Sequence, residues 1–398
     1  MSRAFIAEYV RSPFGRGRPG GALSTVHPVD LLAGIFQALI RRSGIDPETV
    51  DDVITGCVIQ VGEQSANIGR QAWLAANLPE SVPAVTLDRK CGSAQQAIHF
   101  AAQGIISGAY DIAIACGVEM MSRETMKSNR MGRDNLGPMF RQRYPGGLVS
   151  QGVSAELIAA RWKISREDMD VLSLRSHLLA EDARLRGALS SQIEPIYVRD
   201  AGKGMHWITQ DEGIRPDTSL DKLAKLPPVF EDAAAATEFP EITWSITAGN
   251  SSQITDGACA ILLTSEAMAT KWNLSPKAEI RNFALAGVDP VIMLTGPIPA
   301  TNKLLKRSGL SVDDIDLFEV NEAFASVVLA WQRELGVEIE RVNVNGGAIA
   351  YGHPVGASGA RLMMSLIDGL VERNGKLGIQ VMCESGGMAN ATLVECLL

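Results

Sequence analysis

Four residues far apart in the chain have side chains suited to chemistry at sulfur: Cys91, Asn321, His353 and Cys383. Cys91 stands where the apolar stretch VPAVTLD passes through Arg89 and Lys90 into CGSAQQAIHFAAQGIIS, whose apolar spacing is that of a helix. A thiol at a helix N-terminus gains thiolate character from the aligned backbone dipoles, and Arg89 and Lys90 are expected to add to it. That makes Cys91 a candidate nucleophile; the plainer alternative is a packed small residue. His353 lies in the Gly-rich loop NVNGGAIAYGHPVGASGAR, where glycines let backbone approach a ligand and the following proline stiffens the turn. A histidine so placed is a candidate base, against the alternative of a structural ring. Cys383 follows the apolar stretch GIQVM and precedes Glu384-Ser385-Gly386-Gly387, a turn whose amides could face an anion. Asn321 and Glu322 end LFEV and open NEAFASVVLAW, so Asn321 is either functional or a helix N-cap. All four end an apolar strand or open a helix, the positions that gather loops at one rim of an α/β sheet.

The elements that must bring these residues together form a repeat. Arg41-Arg42-Ser43-Gly44-Ile45 recurs as Lys306-Arg307-Ser308-Gly309-Leu310, and Asp111-Ile112-Ala113-Ile114-Ala115-Cys116 parallels Gly378-Ile379-Gln380-Val381-Met382-Cys383 at nearly the same offset. In the first half, the patterning predicts strands near 3–10, 51–59, 83–88 and 110–116, with helices near 29–42, 67–76 and 92–107. In the second it predicts helices over 300–308, 322–335 and 356–372, and strands over 315–320, 377–383 and 391–396. Strands alternating with helices imply a mixed α/β sheet in each half. The division expected is 1–118 with 246–272 as one half, 273–398 as the other, and 119–245 as an insertion. The insertion opens with the Met- and Arg-rich MMSRETMKSNRMGRDNLGPMFRQRYPGG, read as a surface loop or subunit contact, or else as a cover for an apolar group or a holder of an anionic phosphate. A helical passage over 154–187 follows.

Bulk properties narrow the function. At 398 residues the chain exceeds one ordinary core, and with 46% hydrophobic and 21% charged residues it must fold. A net charge of -8 argues against nucleic acid or an anionic membrane as partner. No run of eighteen apolar residues and no secretory apolar segment is present, so a cytoplasmic protein is expected. The six cysteines show no CxxC pair and no zinc spacing, so neither a disulfide framework nor a metal site is indicated. No GxGxxG follows the first strand, which excludes a Rossmann dehydrogenase.

Taken together, KCGSAQQA, TAGNSSQITDGA (247–258), TGPIPA (295–300), NEAFA (321–325), NVNGGAIAYGHPVGASGAR (343–361) and CESGG resemble the thiolase family over essentially the full length. The resemblance implies a five-layered α-β-α-β-α fold from two duplicated βαβαβαββ halves with an inserted loop domain. It implies Cys91 as nucleophile, His353 as its base and Cys383 as the acid or base at C2 of a 3-oxoacyl-CoA, so that thiolysis releases acetyl-CoA and leaves a shortened acyl-CoA. Asn321, holding a water, and His353 would face one oxyanion; the backbone amides of Cys91 and Ser385 would face the other. Ser385 departs from the family's usual glycine, which is tolerated only if the turn needs no positive φ there. Coenzyme A is implied as a substrate, with no permanently bound cofactor and no metal. Ser252, Met293 and Phe324 would lie along it, with Arg215 on a phosphate. A homodimer or homotetramer is implied as well. Gln151, where short-chain biosynthetic members usually carry Met, points to degradative use on larger acyl groups. CESGGMANAT, GEQSANIGRQAWLAA and MLTGPIPA resemble thiolases that shorten steroid side chains or open ring fragments. The alternatives are a biosynthetic acetoacetyl-CoA thiolase, a decarboxylating 3-oxoacyl synthase of the same fold, which would carry His in place of Asn321 and lack Cys383, and a non-catalytic acyl-CoA-binding relative, which would not need two cysteines.

Overall fold

A computed structural model describes residues 2–200 and 204–398. Its strands are β1 (Ala4–Arg11), β2 (Gly15–Arg16), β3 (Asp52–Gly56), β4 (Ala84–Leu87), β5 (Ile112–Met120), β6 (Ile196–Asp200), β7 (Gly204–Ile208), β8 (Thr255–Ser265), β9 (Ala278–Gly287), β10 (Leu317–Val320), β11 (Leu377–Glu384) and β12 (Met388–Cys396). Nine of them run in the order β4-β3-β5-β8-β1-β9-β12-β11-β10, with β2 on β8, while β6 and β7 form a separate hairpin. Read from the β1–β9 junction outward, the halves mirror one another: β8, β5, β3 on one side answer β12, β11, β10 on the other. In each half one parallel pairing, β5 with β3 and β11 with β10, sits beside an antiparallel strand. The junction itself is slight, Phe5 opposite Glu279 and Ile6 opposite Ala278.

The repeat extends to single hydrogen bonds. The helices Pro28–Ser43 and Pro297–Ser308 both stop at a left-handed glycine, Gly44 (φ 69) and Gly309 (φ 67), where a residue with a Cβ would be strained. After each, one aspartate at the start of a strand fastens the start of the parallel strand beside it. Asp51 Oδ2 accepts from the amides of Asp111 and Ile112, and Asp316 Oδ2 from those of Lys376 and Leu377.

Five layers follow from which face each strand buries. Ile112, Ile114, Cys116 and Val118 of β5 pack outward on Leu31, Leu32, Phe36 and Trp73 of the helices Pro28–Ser43 and Ile68–Ala75. Ala113 and Ala115 face inward, to a central layer of two helices, Ser93–Ser107 and Ser358–Arg373. On the far side of that layer β10, β11 and β12 carry an outer pair, Pro297–Ser308 and Ala325–Leu335, around Trp331 and Phe318. Sheets covered on both faces are written as unbroken apolar runs, which is how β5 and β8 read. The central helices approach closely because small residues face each other: a Cβ on Gly359 would come within 2.3 Å of the Gln95 amide nitrogen.

Three expectations need adjustment. The helical passage over 154–187 is two helices, Gln151–Arg161 and Arg166–Arg186, because Lys163 takes a left-handed φ and Ser165 with Asp168 forms a capping box that starts the second. The helix expected from 322 starts at Ala325, capped from Phe324, so Asn321 is not its N-cap. β8 and β9, which follow one another in sequence across the boundary between the halves, are not among the predicted strands.

Candidate active site

The four candidate side chains sit at the rim where the two halves meet. Cys91 belongs to a small apolar cluster with Val58, Ile59, Met121, Val355 and Met382, so the turn after β4, the loop two residues past His353 and the residue before Cys383 share one core. Each half's loop rests on the other's framework. The carbonyl of Gly356 in the His353 loop lies against β3 and β5, where a Cβ on Gly117 would meet it at 2.2 Å. Gly92, next to Cys91, lies against Glu384 and Asn390 of the β11–β12 hairpin. Cys91 is 6% exposed, His353 5%, Cys383 1% and Asn321 0%, so all four candidates are withdrawn from bulk water. An open cavity of about 620 Å³ lined by Gly20, Glu63, Arg123 and Glu124 contains none of them.

His353 is held at three points. Its amide donates to Gln253 O and to Thr255 Oγ1, both at 3.0 Å. Its Nδ1 lies 2.5 Å from Ser358 Oγ, and that hydroxyl donates to Pro354 O at 2.9 Å. A hydroxyl already donating accepts the Nδ1 proton, which leaves the Nε2 lone pair free toward the site. Asn321 Nδ2 stands 3.5 Å from Nε2, and Asn321 Oδ1 has no partner although fully buried. Such an orphaned acceptor marks a place for a bound donor. Burial, and then the Arg361 cation, push the His353 ring down to about 3, so it rests neutral.

Cys91 also rests neutral, and here the sequence reading is corrected. Its helix begins only at Ser93, with Gly92 as cap. Burial, and then the nearby Glu384 carboxylate, push the thiol up to about 12; Lys90 opposes this only weakly, and Arg89 acts on Glu384 instead. Desolvation outweighs the backbone hydrogen bond and the Lys90 charge, both of which act to lower the thiol. Burial pushes the Cys383 thiol well above its ordinary range, and Cys91 adds to that, which places the two sulfurs in one electrostatic neighbourhood. In the turn after Cys383 the positive φ values fall on Gly386 (φ 89) and Gly387 (φ 79) and not on Ser385, so the serine causes no strain there.

The other candidates connect to this centre. Ser252 N donates to Ala323 O at 2.9 Å and Ser251 pairs with Phe324, laying TAGNSSQ along NEAFA. Phe324 is core, edge-on to Phe230. Met293 is core too, yet its sulfur accepts from the Gly386 amide at 3.4 Å. Arg215 is exposed and donates to Gln253 Oε1 at 3.3 Å; partial burial and then the charges of Arg16 and Arg18 push its guanidinium below its ordinary range. Sequence reasoning missed the supports. Glu322 accepts from Ser176 Oγ, Asn343 Nδ2 and the Ile349 amide, anchoring the Gly-rich loop beside Asn321. Glu119 accepts from the amides of Val58 and Ile59 and from Gln64 Nε2, and the Gly356 amide reaches it as well. Ser358 was legible as a hydroxyl opening the helix after His353.

Among the described residues no helix is long and apolar enough to cross a membrane, and no cluster of three His, Cys, Asp or Glu could hold a metal.

Comparison with known proteins agrees along the whole chain. The family model "Thiolase, N-terminal domain" matches residues 4–267 and "Thiolase, C-terminal domain" matches 274–396. A steroid 3-ketoacyl-CoA thiolase of Mycobacterium tuberculosis is 43% identical, over 100% of this chain and 95% of that protein. A 3-ketoacyl-CoA thiolase of Bacillus subtilis is 40% identical over 99% of this chain and 100% of its own length, and a beta-ketoadipyl-CoA thiolase of Pseudomonas aeruginosa is 41% identical with the same coverage. The crystal structure of the Bacillus anthracis acetyl-CoA acetyltransferase superposes with a TM-score of 0.89 at 38% identity, covering 100% of this chain and 99% of that one. Two mirrored halves that bring a buried cysteine, a neutral histidine and a second cysteine to one rim, together with family models over both halves and full-length identity of 38 to 43%, have one reading: the chain belongs to the thiolase family.

Proposed function

We propose that this protein is an acetyl-CoA C-acyltransferase that cleaves 3-oxoacyl-CoA with a second coenzyme A, in the degradative direction, through an acyl group carried on Cys91. The observation that carries the reading is the neutral thiol and neutral imidazole held at the rim shared by the two halves, with Cys383 beside them. Attack by Cys91 Sγ on the 3-oxo carbon transfers its proton to His353 Nε2. The C2–C3 bond then breaks, its electrons form the enolate of acetyl-CoA, and the thiol of Cys383 protonates C2. The incoming CoA thiol gives its proton to the Cys383 thiolate as its sulfur takes the acyl group, and His353 returns its proton to Cys91. Both residues end as they began. A sulfur carrier suits the task because the acyl-enzyme is a thioester, close in energy to substrate and product. Proton transfer at C2 by a positioned thiol contributes roughly 10² to 10⁴ in rate.

The orphaned Asn321 Oδ1 is suited to a water that, with His353, faces the oxygen of the CoA thioester, and the amides of Cys91 and Ser385 suit the oxygen of the acylated cysteine. Coenzyme A serves as substrate; Ser252, Met293 and Phe324 lie toward its pantetheine and Arg215, with Arg16 and Arg18 near it, toward a phosphate. Residues 119–245 form the inserted unit over this path, the enzyme works as a homodimer or homotetramer, and it acts in the cytoplasm. The acyl group is bulky or ring-derived: relatives named for steroid and beta-ketoadipyl substrates support this, as does Gln151 at the start of its helix. A screen of 3-oxoacyl-CoA substrates, following acetyl-CoA release, tests it. Cyclic or branched substrates should exceed acetoacetyl-CoA in kcat/KM; the reverse order would favour a short-chain enzyme like the acetyl-CoA acetyltransferase that the fold matches.

A further inference from the structure

Among the buried acids that the mechanism leaves unused, one adjoins a proposed catalytic cysteine. Glu384 follows Cys383 directly, is 0% exposed, and neither of its carboxyl oxygens has a hydrogen-bond partner. Asn390, two residues along β12 from Met388, the residue paired with Glu384, is also 0% exposed; its Nδ2 donates to Gly92 O at 3.3 Å, while its Oδ1 has no partner. Two of these three oxygens, Glu384 Oε1 and Asn390 Oδ1, lie beside Gly92. A Cβ built on Gly92 would lie 2.1 Å from Glu384 Oε1 and 2.8 Å from Asn390 Oδ1. Two acceptors facing one another in a dry site repel unless a hydrogen lies between them, and a carboxylic acid supplies one.

We propose that Glu384 is a positioning residue that acts in its neutral form: its carboxyl proton is shared with Asn390 Oδ1 beneath Gly92, bracing the turn that carries Cys91, and loss of that proton sets a negative charge against the Cys91 thiol and suppresses its ionisation. This rests on the reading of Cys91 as nucleophile. A hydroxyl of Glu384 donating to Asn390 Oδ1 leaves Asn390 Nδ2 aimed at the Gly92 carbonyl, so a chain of two hydrogen bonds runs from the β11–β12 hairpin of one half to the nucleophile turn of the other. The charged and titratable groups facing Glu384 are Arg89 and Asp88, from the link after β4, and the two thiols; Lys90 lies next to Cys91, and Asn390 is uncharged. Burial dominates and raises the acid, Arg89 opposes it and Asp88 adds, for a result of about 8. The neutral form therefore prevails at neutral pH, and the charged form grows above about 8. Glu384 is in turn the largest influence after burial that raises the Cys91 thiol.

The consequence is read on Cys91 itself, without turnover. Alkylation by iodoacetamide, followed on the Cys91 peptide by mass spectrometry from pH 6.5 to 9.5, reports thiolate formation. In the wild-type protein the logarithm of the rate should climb with unit slope, flatten near pH 8 as Glu384 ionises, then resume. Glu384→Gln, which keeps a donor for Asn390 but cannot ionise, should give a straight line, so its rate relative to wild type rises about tenfold across the range, the size of a one-unit pKa difference. A straight wild-type line, or a bend that persists in E384Q, overturns the proposal. The wild-type bend decides even if the variant folds poorly. Turnover surviving in Cys91→Ser would instead refute the nucleophile reading and leave this profile untouched.

Discussion

Replacing Ser358 by alanine tests whether the orientation of the His353 ring limits the reaction. Ser358 is fully buried, and its Oγ stands 2.5 Å from Nδ1. The substitution removes that contact and little else, because the Pro354 carbonyl keeps the Ser358 amide as a donor at 2.9 Å. The ring is then left with a buried, unsatisfied N–H, or it changes tautomer and turns its proton toward Cys91. An unsatisfied buried donor costs about 1–3 kcal/mol, which at 1.36 kcal/mol per decade slows a step needing the original tautomer roughly 5- to 150-fold. Burial, and then the Arg361 cation, push the ring down to about 3, so the loss should be the same from pH 6 to 8. The assay is single-turnover acylation of Cys91 by a 3-oxoacyl-CoA, with kcat and the KM for CoA measured separately and the unfolding midpoint as a control. The expected outcome is a fall in kcat in that range with KM for CoA changed less than about threefold. A kcat within a factor of two of wild type, in a normally folded variant, would refute the tautomer argument.

Two further substitutions separate the proposed roles. Cys383→Ala should slow C–C cleavage by roughly 10² to 10⁴ while acyl exchange between Cys91 and CoA persists, measured with labelled CoA; equal loss of both would remove its role at C2. Glu119→Gln puts an amide N–H₂ among donors that the carboxylate now accepts, from Val58, Ile59 and Gln64. It should lower stability by about 1–3 kcal/mol in urea unfolding and slow acylation through the Gly356 loop, and an unchanged midpoint would show that the carboxylate is not the clamp.

How much of this was legible depends on what each residue's neighbours are. The repeat was readable because a helix that stops at a glycine is a local signal, and Gly44 and Gly309 both hold the left-handed place that the pattern implies. β8 was not, since TDGACAILLTS is buried on both faces and has no alternation to mark it. The break between the two helices of the insertion was present in Ser165 and Asp168 and went unread beneath a continuous helical period. Types and positions of the four site candidates came from motifs, but their electrostatics did not. Cys91 looked like an activated thiolate when only Arg89, Lys90 and the helix were in view. Glu384 lies almost three hundred residues away, and burial is a property of the folded layers, so the thiol's upward shift has no signature in the local sequence. Glu119 and Glu322 escaped for the same reason, since each acts by hydrogen bonds to loops that only the fold brings near, whereas Ser358 bonds within its own loop and was legible there.

The claim on which the account turns is that the acyl group rests on one sulfur. Mixing the enzyme with a 3-oxoacyl-CoA in the absence of free CoA, quenching in acid and mapping the digest by mass spectrometry reads it directly. The account predicts one added acyl mass, on the peptide containing Cys91, absent from the other five cysteines and released by added CoA. Acetyl-CoA formed at full rate with no adduct at Cys91, or with the adduct on another residue, would contradict it.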